Sequence, residues 1–404
     1  MPEKELMSPN DIKCVNELKA RMKDELDESC NDLKIYLFLK EQNFNLDATE
    51  NMLKKHVKWR KKKNVEEMKN YTPPELLKQY FAHTLLGRDK EGCLVKYWPL
   101  GSLDFKGLFL CFKFSDMEKL FLHINETDTK LLEEESKKRK KDIYQVTYIY
   151  DIEGITFARA TDKKALEALI YLSLAYFSNY PQRMKACYLI NTNALFIHGF
   201  SICKRFLPIS ALNAIYFFGA DDWKDVLLKD IDAEVLPAFL GGTKTDPDGN
   251  PLCETLIKSR GSIPEKYYKH KSKRPLSKMP GVKQITLSRA SFHEESIEVK
   301  ESQSLLEWEF ETKSRDIGFG LFFRDMSSGE EKMVEIVPIL RIDTDEYAES
   351  GVYKCEKEGT YVILFDNTYS WIRPKEISFR IAVINPKDHD NKLHSMDETL
   401  QNEE

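Results

Sequence analysis

The sequence predicts an α/β fold in which an N-terminal helical unit precedes a mainly parallel sheet with covering helices, and an antiparallel β-sandwich follows. Between residues 93 and 218, short apolar runs alternate with helical segments, a pattern typical of parallel sheets that helices cover on both faces. Beyond residue 282, short runs of alternating polarity are separated by Gly, Asn, Asp and Ser, which is typical of a sandwich. A chain of 404 residues has the length of about two to three domains.

The composition is that of a globular protein, with 42% hydrophobic and 31% charged residues. A net charge of −5 argues against a general nucleic-acid binder, which needs a basic face. The N-terminal residues lack the apolar core of a signal peptide, and the longest apolar stretch, residues 168–177, is too short to span a membrane. The eight cysteines include no C-x-x-C pair, which favours free thiols in a reducing cytosol. We therefore expect a cytoplasmic protein.

Residues 1–72 are predicted to form the N-terminal helical unit. Ser8 precedes apolar residues at helical spacing and is a good helix start, and a second helix is expected over residues 32–40. Asp47 is expected to cap a third helix. The basic run at residues 60–63 is interpreted as a solvated helix end, where cations complement the helix dipole.

Residues 73–265 are predicted to form the α/β domain. A long helix is expected over residues 115–141, and another from the cap at Thr161 and Asp162 to Tyr176. Apolar runs predict strands over residues 93–98, 146–151, 186–190 and 215–218. These strands and helices alternate along the chain, so the strands are expected to run parallel.

A basic linker is predicted over residues 266–281, and the β-sandwich over residues 282–386. The tail, residues 387–404, is polar and is expected to be disordered. The predicted strands of the sandwich are Ser296–Lys300, Leu305–Glu311, Ile317–Arg324, Met333–Pro338, Gly351–Lys354, Thr360–Phe365 and Ile377–Ile384.

The helix predicted between the strands at 186–190 and 215–218 is unusually apolar, and Pro208 ends it. A helix between strands should be apolar on one face only, whereas this one carries apolar side chains on several faces. It is therefore either a fully buried core helix, which periodicity alone favours, or the wall or lid of a cavity for an apolar ligand. Its apolar residues are Leu195, Phe196, Ile197, Phe200, Ile202, Phe206 and Leu207.

Motifs of enzymes and metal sites are missing from the sequence. There is no G-x-S-x-G elbow, no H-E-x-x-H, no phosphate-binding loop and no G-x-G-x-x-G. His198 and Cys203 lie in the apolar helix, where packed residues are commoner than catalytic ones. The loop at residues 246–251 has Pro251 where a calcium loop needs Gly, and Ile257 where it needs Glu. We therefore expect no catalytic residues and no metal.

Several motifs together resemble the CRAL-TRIO lipid-binding domain: F-L-P at residues 206–208, I-Y-F-F-G at 215–219, W-K-D-V-L-L-K at 223–229, L-P-A-F-L-G-G-T at 236–243 and Y-I-Y-D-I-E-G at 148–154. Residues 37–46 resemble the N-terminal helical unit of that family. G-T-Y at 359–361 and F-D-N-T-Y-S at 365–370 resemble a GOLD domain, and D-P-D-G-N-P at 246–251 is shared by the two-domain supernatant protein factor and tocopherol-associated protein group. The resemblance covers about residues 8–386.

The resemblance implies a cytosolic lipid-binding and transfer protein, peripheral at membranes, with no cofactor other than its bound lipid. Its pocket would be floored by the sheet and closed by a gate helix over about residues 195–207. Strand side chains alternate between two faces, so Val146, Tyr148 and Tyr150 are expected in the pocket, opposite Asp151. By the same logic Tyr188 and Ile190 are expected there, opposite Asn191, and Tyr97 is a further candidate.

The gate helix supplies the remaining candidate residues. Lys204 and Arg205 are interpreted either as contacts to anionic head groups or as a solvated pair. The ligand-binding candidates on this helix are Phe196, Phe200 and Phe206, and the gate or membrane contacts are Leu195, Ile202, Lys204, Arg205 and Leu207.

Departures from the family pattern bear on the ligand. Phosphatidylinositol-transferring members carry an acidic residue where this chain has Gln182, and a Lys where it has Ala214. Phosphatidylcholine-binding members present hydroxyl groups where it has Val146 and Tyr148. Because a buried phosphate without partners is costly, we expect a tocopherol-, sterol-precursor- or retinoid-like lipid. A phospholipid stays open, since other basic residues could hold it.

The expected partners are the lipid, a transient membrane surface and a protein bound through the GOLD domain, but no nucleic acid. The alternative function is a lipid-sensing adaptor that uses its GOLD domain to recruit partners to membranes without net transfer.

Overall fold

The structure, a computed structural model, describes residues 7–26, 30–81, 83–204, 207–257, 261–268, 275–314, 316–326, 329–344, 348–371 and 373–386. Within these ranges it leaves out the side chains of Lys163, His198, Ile202, Cys203 and Asp343. The chain divides into two compact units, residues 1–268 and 269–404. Residues 269–274 of the predicted linker and the whole of the predicted disordered tail lie outside the described residues.

The first unit begins with three helices, α1 (Pro9–Arg21), α2 (Asp32–Glu41) and α3 (Leu46–Lys62). Ser8 caps α1 as predicted, and its side chain forms a capping box with Asp11. The predicted cap of α3 was wrong by two residues. The cap is Asn45, whose side chain accepts a hydrogen bond from the backbone N–H of Ala48, and Asp47 lies in the first turn.

A five-stranded sheet follows the short helix α4 (Glu75–Tyr80). Its order is β1-β2-β3-β4-β5; β1 is antiparallel to β2, and the other neighbours are parallel. The mainly parallel sheet is therefore confirmed, and β1 is an edge strand that the sequence did not predict. The strands are β1 (Thr84–Arg88), β2 (Leu94–Trp98), β3 (Val146–Asp151), β4 (Met184–Ile190) and β5 (Ile215–Phe217).

Helices connect the parallel strands, as crossover connections require. Asp162 caps α8 as predicted, accepting from the backbone N–H of Ala165 at 2.7 Å. The helices of this part are α5 (Phe105–Cys111), α6 (Phe114–Arg139), α7 (Phe157–Ala160), α8 (Lys163–Asn179), α9 (Ala194–Cys203), α10 (Ile209–Leu212) and α11 (Lys224–Asp230).

Each face of the sheet contributes to a separate apolar cluster. The first cluster lies on the side of the sheet that α11 covers, and it includes Val95, Tyr97, Ile149, Tyr188 and Trp223. The second contains residues of α6 and α8 and includes Leu94, Leu132, Val146, Tyr148 and Tyr176. The sheet thus has a filled side toward α11 and, on the other side, the space that the candidate site occupies.

The second unit is a sandwich of two four-stranded antiparallel sheets, with orders β10-β9-β12-β7 and β11-β8-β13-β6. Its core is aromatic: the rings of Phe310 and Phe319 stack with centroids 4.8 Å apart, and Phe365 packs against both. Its strands are β6 (Lys283–Leu287), β7 (Phe292–Val299), β8 (Leu305–Thr312), β9 (Asp316–Asp325), β10 (Lys332–Asp343), β11 (Glu349–Lys354), β12 (Gly359–Asp366) and β13 (Lys375–Ile384).

None of the helices in the described part of the chain combines the length and the apolar character needed to cross a bilayer.

Candidate functional site

A cavity of about 300 Å³ lies in the first unit, between the sheet and the helices on its α8 side. Volumes of this order are at the lower end of the range for small-molecule sites, about 300–1,000 Å³. The sheet lines the cavity with Lys96, Trp98, Tyr148, Tyr150, Cys187, Leu189 and Ile215. Helices and loops line it with, among others, Phe121, Ile124, Leu166, Ile170, Ser173, Tyr176, Phe196, Phe200 and Leu207. Most of these side chains are apolar or aromatic, so the cavity suits an apolar ligand.

Five of the predicted site residues lie in the cavity wall: Tyr148, Tyr150, Phe196, Phe200 and Leu207. Val146 lies on the same face of β3 but is fully buried in the second cluster, and it is not among the lining residues. Leu195 is half-buried and Lys204 is exposed, and neither lines the cavity. Whether any of these residues contacts a ligand stays a prediction.

The predicted pocket face of β4 was wrong. Tyr188 and Ile190 pack in the first cluster, on the α11 side, and Cys187 and Leu189 line the cavity instead. The prediction counted alternation back from Asn191, but Asn191 lies beyond the strand with φ of 56°. A left-handed residue turns the chain, so alternation cannot be extended through it.

Tyr97 also lies on the α11 side of the sheet, because β2 presents its neighbours Lys96 and Trp98 to the cavity. Its hydroxyl donates to Asp151 Oδ2 at 2.8 Å, and the Asn191 amide donates to Asp151 Oδ1 at 2.8 Å. These side chains tie the carboxyl ends of β2, β3 and β4 together. Their place is behind the cavity floor, not in the cavity.

Two predicted gate residues, Ile202 and Arg205, and one predicted ligand-binding residue, Phe206, cannot be placed. Arg205 and Phe206 lie outside the described residues, and the side chain of Ile202 is likewise left out.

The apolar helix α9 forms an outer wall of the cavity. It begins at the cap Asn193, whose side chain accepts from the backbone N–H of Phe196 at 2.9 Å. None of its described side chains is buried: Phe196 and Phe200 are half-buried against the cavity, and Ile197 is 50% exposed. The interpretation as a fully buried core helix therefore fails for the described part of α9, and the interpretation as a cavity wall fits it.

The cavity wall contains polar residues that sequence reasoning missed. The ammonium of Lys96 on β2 lies 2.6 Å from both carboxylate oxygens of Asp128 on α6, and each residue is only 2% exposed. Beside them, the hydroxyls of Tyr148 and Tyr176 are 3.0 Å apart. The expectation of a weakly polar lipid was based on Gln182, Ala214, Val146 and Tyr148, and it did not take this ion pair into account.

Burial sets the protonation states in the wall. It lowers the pKa of Lys96, while the attraction of Asp128 acts in the opposite direction. Burial also raises the pKa of the Tyr148 and Tyr150 hydroxyls well above the ordinary value. Those hydroxyls therefore stay protonated at neutral pH and can donate hydrogen bonds.

A signal for the missed pair was present in the sequence. Lys96 alternates with Leu94 and Trp98 along a strand predicted to be covered on both faces. A charged side chain in such a strand must be buried, and a buried charge needs a partner. The partner, Asp128, lies in the half of α6 that is rich in charge, and its sequence context does not distinguish it from solvated neighbours.

The cavity lining includes one group, the thiol of Cys187, that could in principle act as a thiolate nucleophile. Burial raises the pKa of the Cys187 thiol to about 12, so this cysteine is not activated. In the ranges that the structure describes, no three His, Cys, Asp or Glu side chains are grouped so that they could hold a metal ion.

The first unit therefore belongs to the class of α/β proteins in which a mainly parallel sheet covers an apolar cavity. Residues 78–242 match the family model described as the CRAL/TRIO domain. Over these residues the chain is therefore similar to the CRAL/TRIO domain. The antiparallel sandwich that follows is consistent with a GOLD domain.

Several known proteins are similar to this chain. It is 27% identical over 361 residues to protein ctg-1 of Caenorhabditis elegans, which covers 88% of this chain and 92% of that protein. It is 26% identical over 299 residues to protein real-time of Aedes aegypti, covering 71% of this chain but only 45% of that longer protein. The crystal structure of Sfh5 aligns with a TM-score of 0.47 and 18% identity, over 65% of this chain and 96% of that one.

Proposed function

We propose that this protein encloses a hydrophobic, weakly polar lipid in the cavity of its first unit. Helix α9 would be the gate that opens when the lipid exchanges at membranes. The observation that carries the proposal is the position of α9. The helix lies between the cavity, through Phe196 and Phe200, and the surface, where Ile197 is 50% exposed. A wall that is apolar on both sides suits a lid that covers ligand when closed and contacts a bilayer when open.

The energetics of lipid transport support a closed carrier. Moving a lipid with about 15 methylenes into water costs roughly 12 kcal/mol, at about 0.8 kcal/mol per methylene. A protein that carries such a lipid through water must therefore cover its chain. It must also uncover the chain at a membrane, since otherwise release would incur the same cost.

Exposed apolar side chains flank α9 and support membrane contact. Phe157 on α7 is 70% exposed, and Ile209 on α10 is 77% exposed. Tyr216 and Phe217 at β5 are also exposed, and the ring of Phe217 packs 5.0 Å from that of Phe200 on α9. Apolar side chains of this kind bind membranes when they enter the boundary between head groups and acyl chains.

The test is a transfer assay with a cavity-filling variant and a matched control. Ser173 and Ser178 lie on the same helix α8; Ser173 lines the cavity, and Ser178 is exposed. The variant Ser173→Trp places an indole in the cavity, and Ser178→Trp places it in solvent. Transfer of fluorescent sterol and of fluorescent phosphatidylcholine between two vesicle populations is measured for both variants.

We expect Ser173→Trp to lower the transfer rate of the preferred lipid at least about tenfold, because the indole takes up space that the ligand needs. Ser178→Trp should transfer at the wild-type rate. Transfer by the folded Ser173→Trp variant at the wild-type rate would contradict the cavity as the carrier site.

A second candidate function is a lipid-sensing adaptor, in which the sandwich recruits a partner and no net transfer occurs. The observation that favours it is the exposure of Trp371 and Phe292 in the second unit, 80% and 57% respectively. Exposed aromatic side chains are common at binding surfaces. A wild-type protein that binds lipid but transfers none between vesicles would favour this alternative.

A further inference from the structure

The polar groups of the cavity wall are concentrated around the ion pair of Lys96 and Asp128. Lys96 lies opposite Tyr148 in the register of β2 and β3. Asn125 lies one turn before Asp128 on α6 and also lines the cavity. The paired hydroxyls of Tyr148 and Tyr176 complete a polar patch in an otherwise apolar wall.

If the ion pair has only a structural role, burying its two charges costs folding free energy with little return. Both side chains are 3% exposed, and an apolar pair of similar volume commonly stabilises a core as well or better, because two buried charges lose their hydration. A Lys and an Asp that both line a cavity therefore call for a role within that cavity. Recognition of a polar group on the ligand is such a role.

The pair retains hydrogen-bonding capacity that faces the cavity. An ammonium has three donors and a carboxylate about four acceptor positions. In the described part of the chain, Lys96 Nζ contacts only the two oxygens of Asp128, and those oxygens contact only Lys96 Nζ. A donor and acceptors thus stay available side by side, in a setting where leaving them unpaired costs free energy.

The chemistry of the pair distinguishes between ligand head groups. A hydroxyl group fits, because it can accept from the ammonium and donate to the carboxylate at the same time. A carboxylate or phosphodiester has no proton to donate, and it meets a pair of zero net charge whose Asp128 repels it. A hydrocarbon makes no hydrogen bond and leaves both groups unpaired when it displaces water.

We propose that Lys96 and Asp128 together form the recognition site for the hydroxyl group of an uncharged apolar lipid, and that they set the ligand preference of this cavity. The inference rests on the proposed function, since it requires that the cavity holds a lipid. It goes further by assigning a head-group chemistry and the two side chains that select it.

The test compares three probes with the same chain length: 1-octadecanol, octadecane and octadecanoate. Purified, delipidated protein is incubated with phosphatidylcholine vesicles that contain equal amounts of the three probes, and the protein-bound lipid is extracted and quantified. We expect the wild type to take up the alcohol in preference to the carboxylate. Bound phosphatidylcholine is quantified in the same extract.

The decisive measurement is the bound ratio of alcohol to alkane in variants. Lys96→Met/Asp128→Leu removes the pair, and we expect the ratio to fall at least about tenfold, the size of one lost hydrogen bond to a charged group. Lys96→Gln/Asp128→Asn keeps the size and the hydrogen bonding of the two side chains. We expect its bound ratio of alcohol to alkane to stay within about threefold of the wild-type ratio. The matched control is Lys63→Met/Glu118→Leu, which removes another ion pair of α6. The N–O distance of that pair is 2.8 Å, and neither residue lines the cavity. This control should leave the bound ratio of alcohol to alkane unchanged.

The outcomes separate the inference from the proposed function. If the apolar variant takes up lipid with the wild-type ratio, or if the wild type prefers octadecanoate or phosphatidylcholine, the inference is wrong while the carrier function stands. If the wild type takes up none of the lipids, the carrier function fails and the inference with it. A fall in the ratio for the cavity pair alone supports both.

Discussion

His83 shows how strongly the surroundings of the cavity alter a single side chain. Its ring stacks on that of Trp98, with centroids 5.0 Å apart, and Trp98 lines the cavity. Burial, followed by repulsion from the Lys96 ammonium, lowers the pKa of His83 to about 3. The imidazole is therefore neutral at physiological pH.

The lowered pKa of His83 predicts a loss of stability in mild acid. An unfolded His has a pKa of about 6.5, so between pH about 6.5 and 3 the unfolded chain binds a proton that the folded chain does not. The contribution of His83 to the free energy of unfolding is thus fully present above pH 6.5, and it is lost as the pH falls through this window. With a discount for partial exposure of the ring, we expect up to about 1 kcal/mol per pH unit.

The measurement is urea unfolding at pH 7.5 and pH 5, followed by tryptophan fluorescence, for the wild type and His83→Gln. The variant lacks the titrating group. The difference in free energy of unfolding by which it is less stable than the wild type at pH 7.5 should therefore be smaller at pH 5, by about 1 kcal/mol. An identical pH dependence for the two proteins would show that His83 titrates normally in the folded state.

The two central strands show what alternation can predict at the residue scale. On β3, Tyr148 and Tyr150 face the cavity as predicted, because Asp151 is still part of the strand and lies on the other face. On β4 the reference residue, Asn191, was outside the strand, so the predicted face was inverted. The pattern therefore gives the pocket face only where the strand end is known, and hydrogen bonds define that end.

At the scale of elements, the contact between the helical unit and the α/β domain includes a buried ion pair. The guanidinium of Arg60 on α3 donates to both carboxylate oxygens of Glu126 on α6, at 3.2 and 3.1 Å. The Tyr180 hydroxyl donates to Glu126 Oε1 at 2.8 Å. Arg60 also pairs with Glu66, which is largely exposed. The basic run at residues 60–63, interpreted from sequence as a solvated helix end, thus begins with a buried arginine.

Two matched substitutions separate the buried contact from the exposed one. We expect Glu126→Gln to lower the free energy of unfolding by about 2–4 kcal/mol, because it removes the buried carboxylate and leaves the Arg60 charge paired only with the largely exposed Glu66. Glu66→Gln, on the same guanidinium, should cost less than about 1 kcal/mol, since its carboxylate is solvated. Chemical denaturation of both variants measures the difference, and equal losses would contradict a dominant role for Glu126.

Helices and strands with a clear apolar or charge pattern in the sequence were predicted, and strands whose pattern is interrupted or weak were not. The long helix α6 and the strands β2, β3 and β4 follow from apolar runs and charge, and the structure confirms them. β1 was missed because Gly87, at φ of 152°, and a register shift between Leu85 and Gly87 interrupt its alternation. The edge strand β6 was missed because most of its side chains are exposed or half-buried. Tertiary pairing, not the local pattern, makes these segments strands.

At the scale of the whole molecule, each compact unit exposes apolar side chains at its surface. The first unit exposes Phe157 and Ile209 beside α9, and the second exposes Phe292 and Trp371 on the sandwich. Large exposed apolar side chains that lie together commonly mark a partner or a membrane. The carrier hypothesis assigns the exposed side chains of the first unit to membrane contact, and the adaptor hypothesis assigns those of the second unit to a protein partner.

A pair of double variants distinguishes the two contacts. Phe157→Glu/Ile209→Glu places charges beside the gate, and Phe292→Glu/Trp371→Glu places them on the sandwich as the matched control. If α9 opens at the bilayer, the first double variant should weaken binding to mixed phosphatidylcholine and phosphatidylserine vesicles at least about tenfold, because it removes apolar burial and adds charge at the interface. Binding is measured by sedimentation with the vesicles.

The same variants should separate contact with the membrane from occupancy of the cavity. Phe157 and Ile209 are exposed and are absent from the cavity lining, so lipid already bound in the first double variant should be retained while its exchange between vesicles slows. The sandwich variant should bind vesicles and exchange lipid as the wild type does. A greater loss of vesicle binding in the sandwich variant than in the gate variant would instead assign the membrane contact to the second unit.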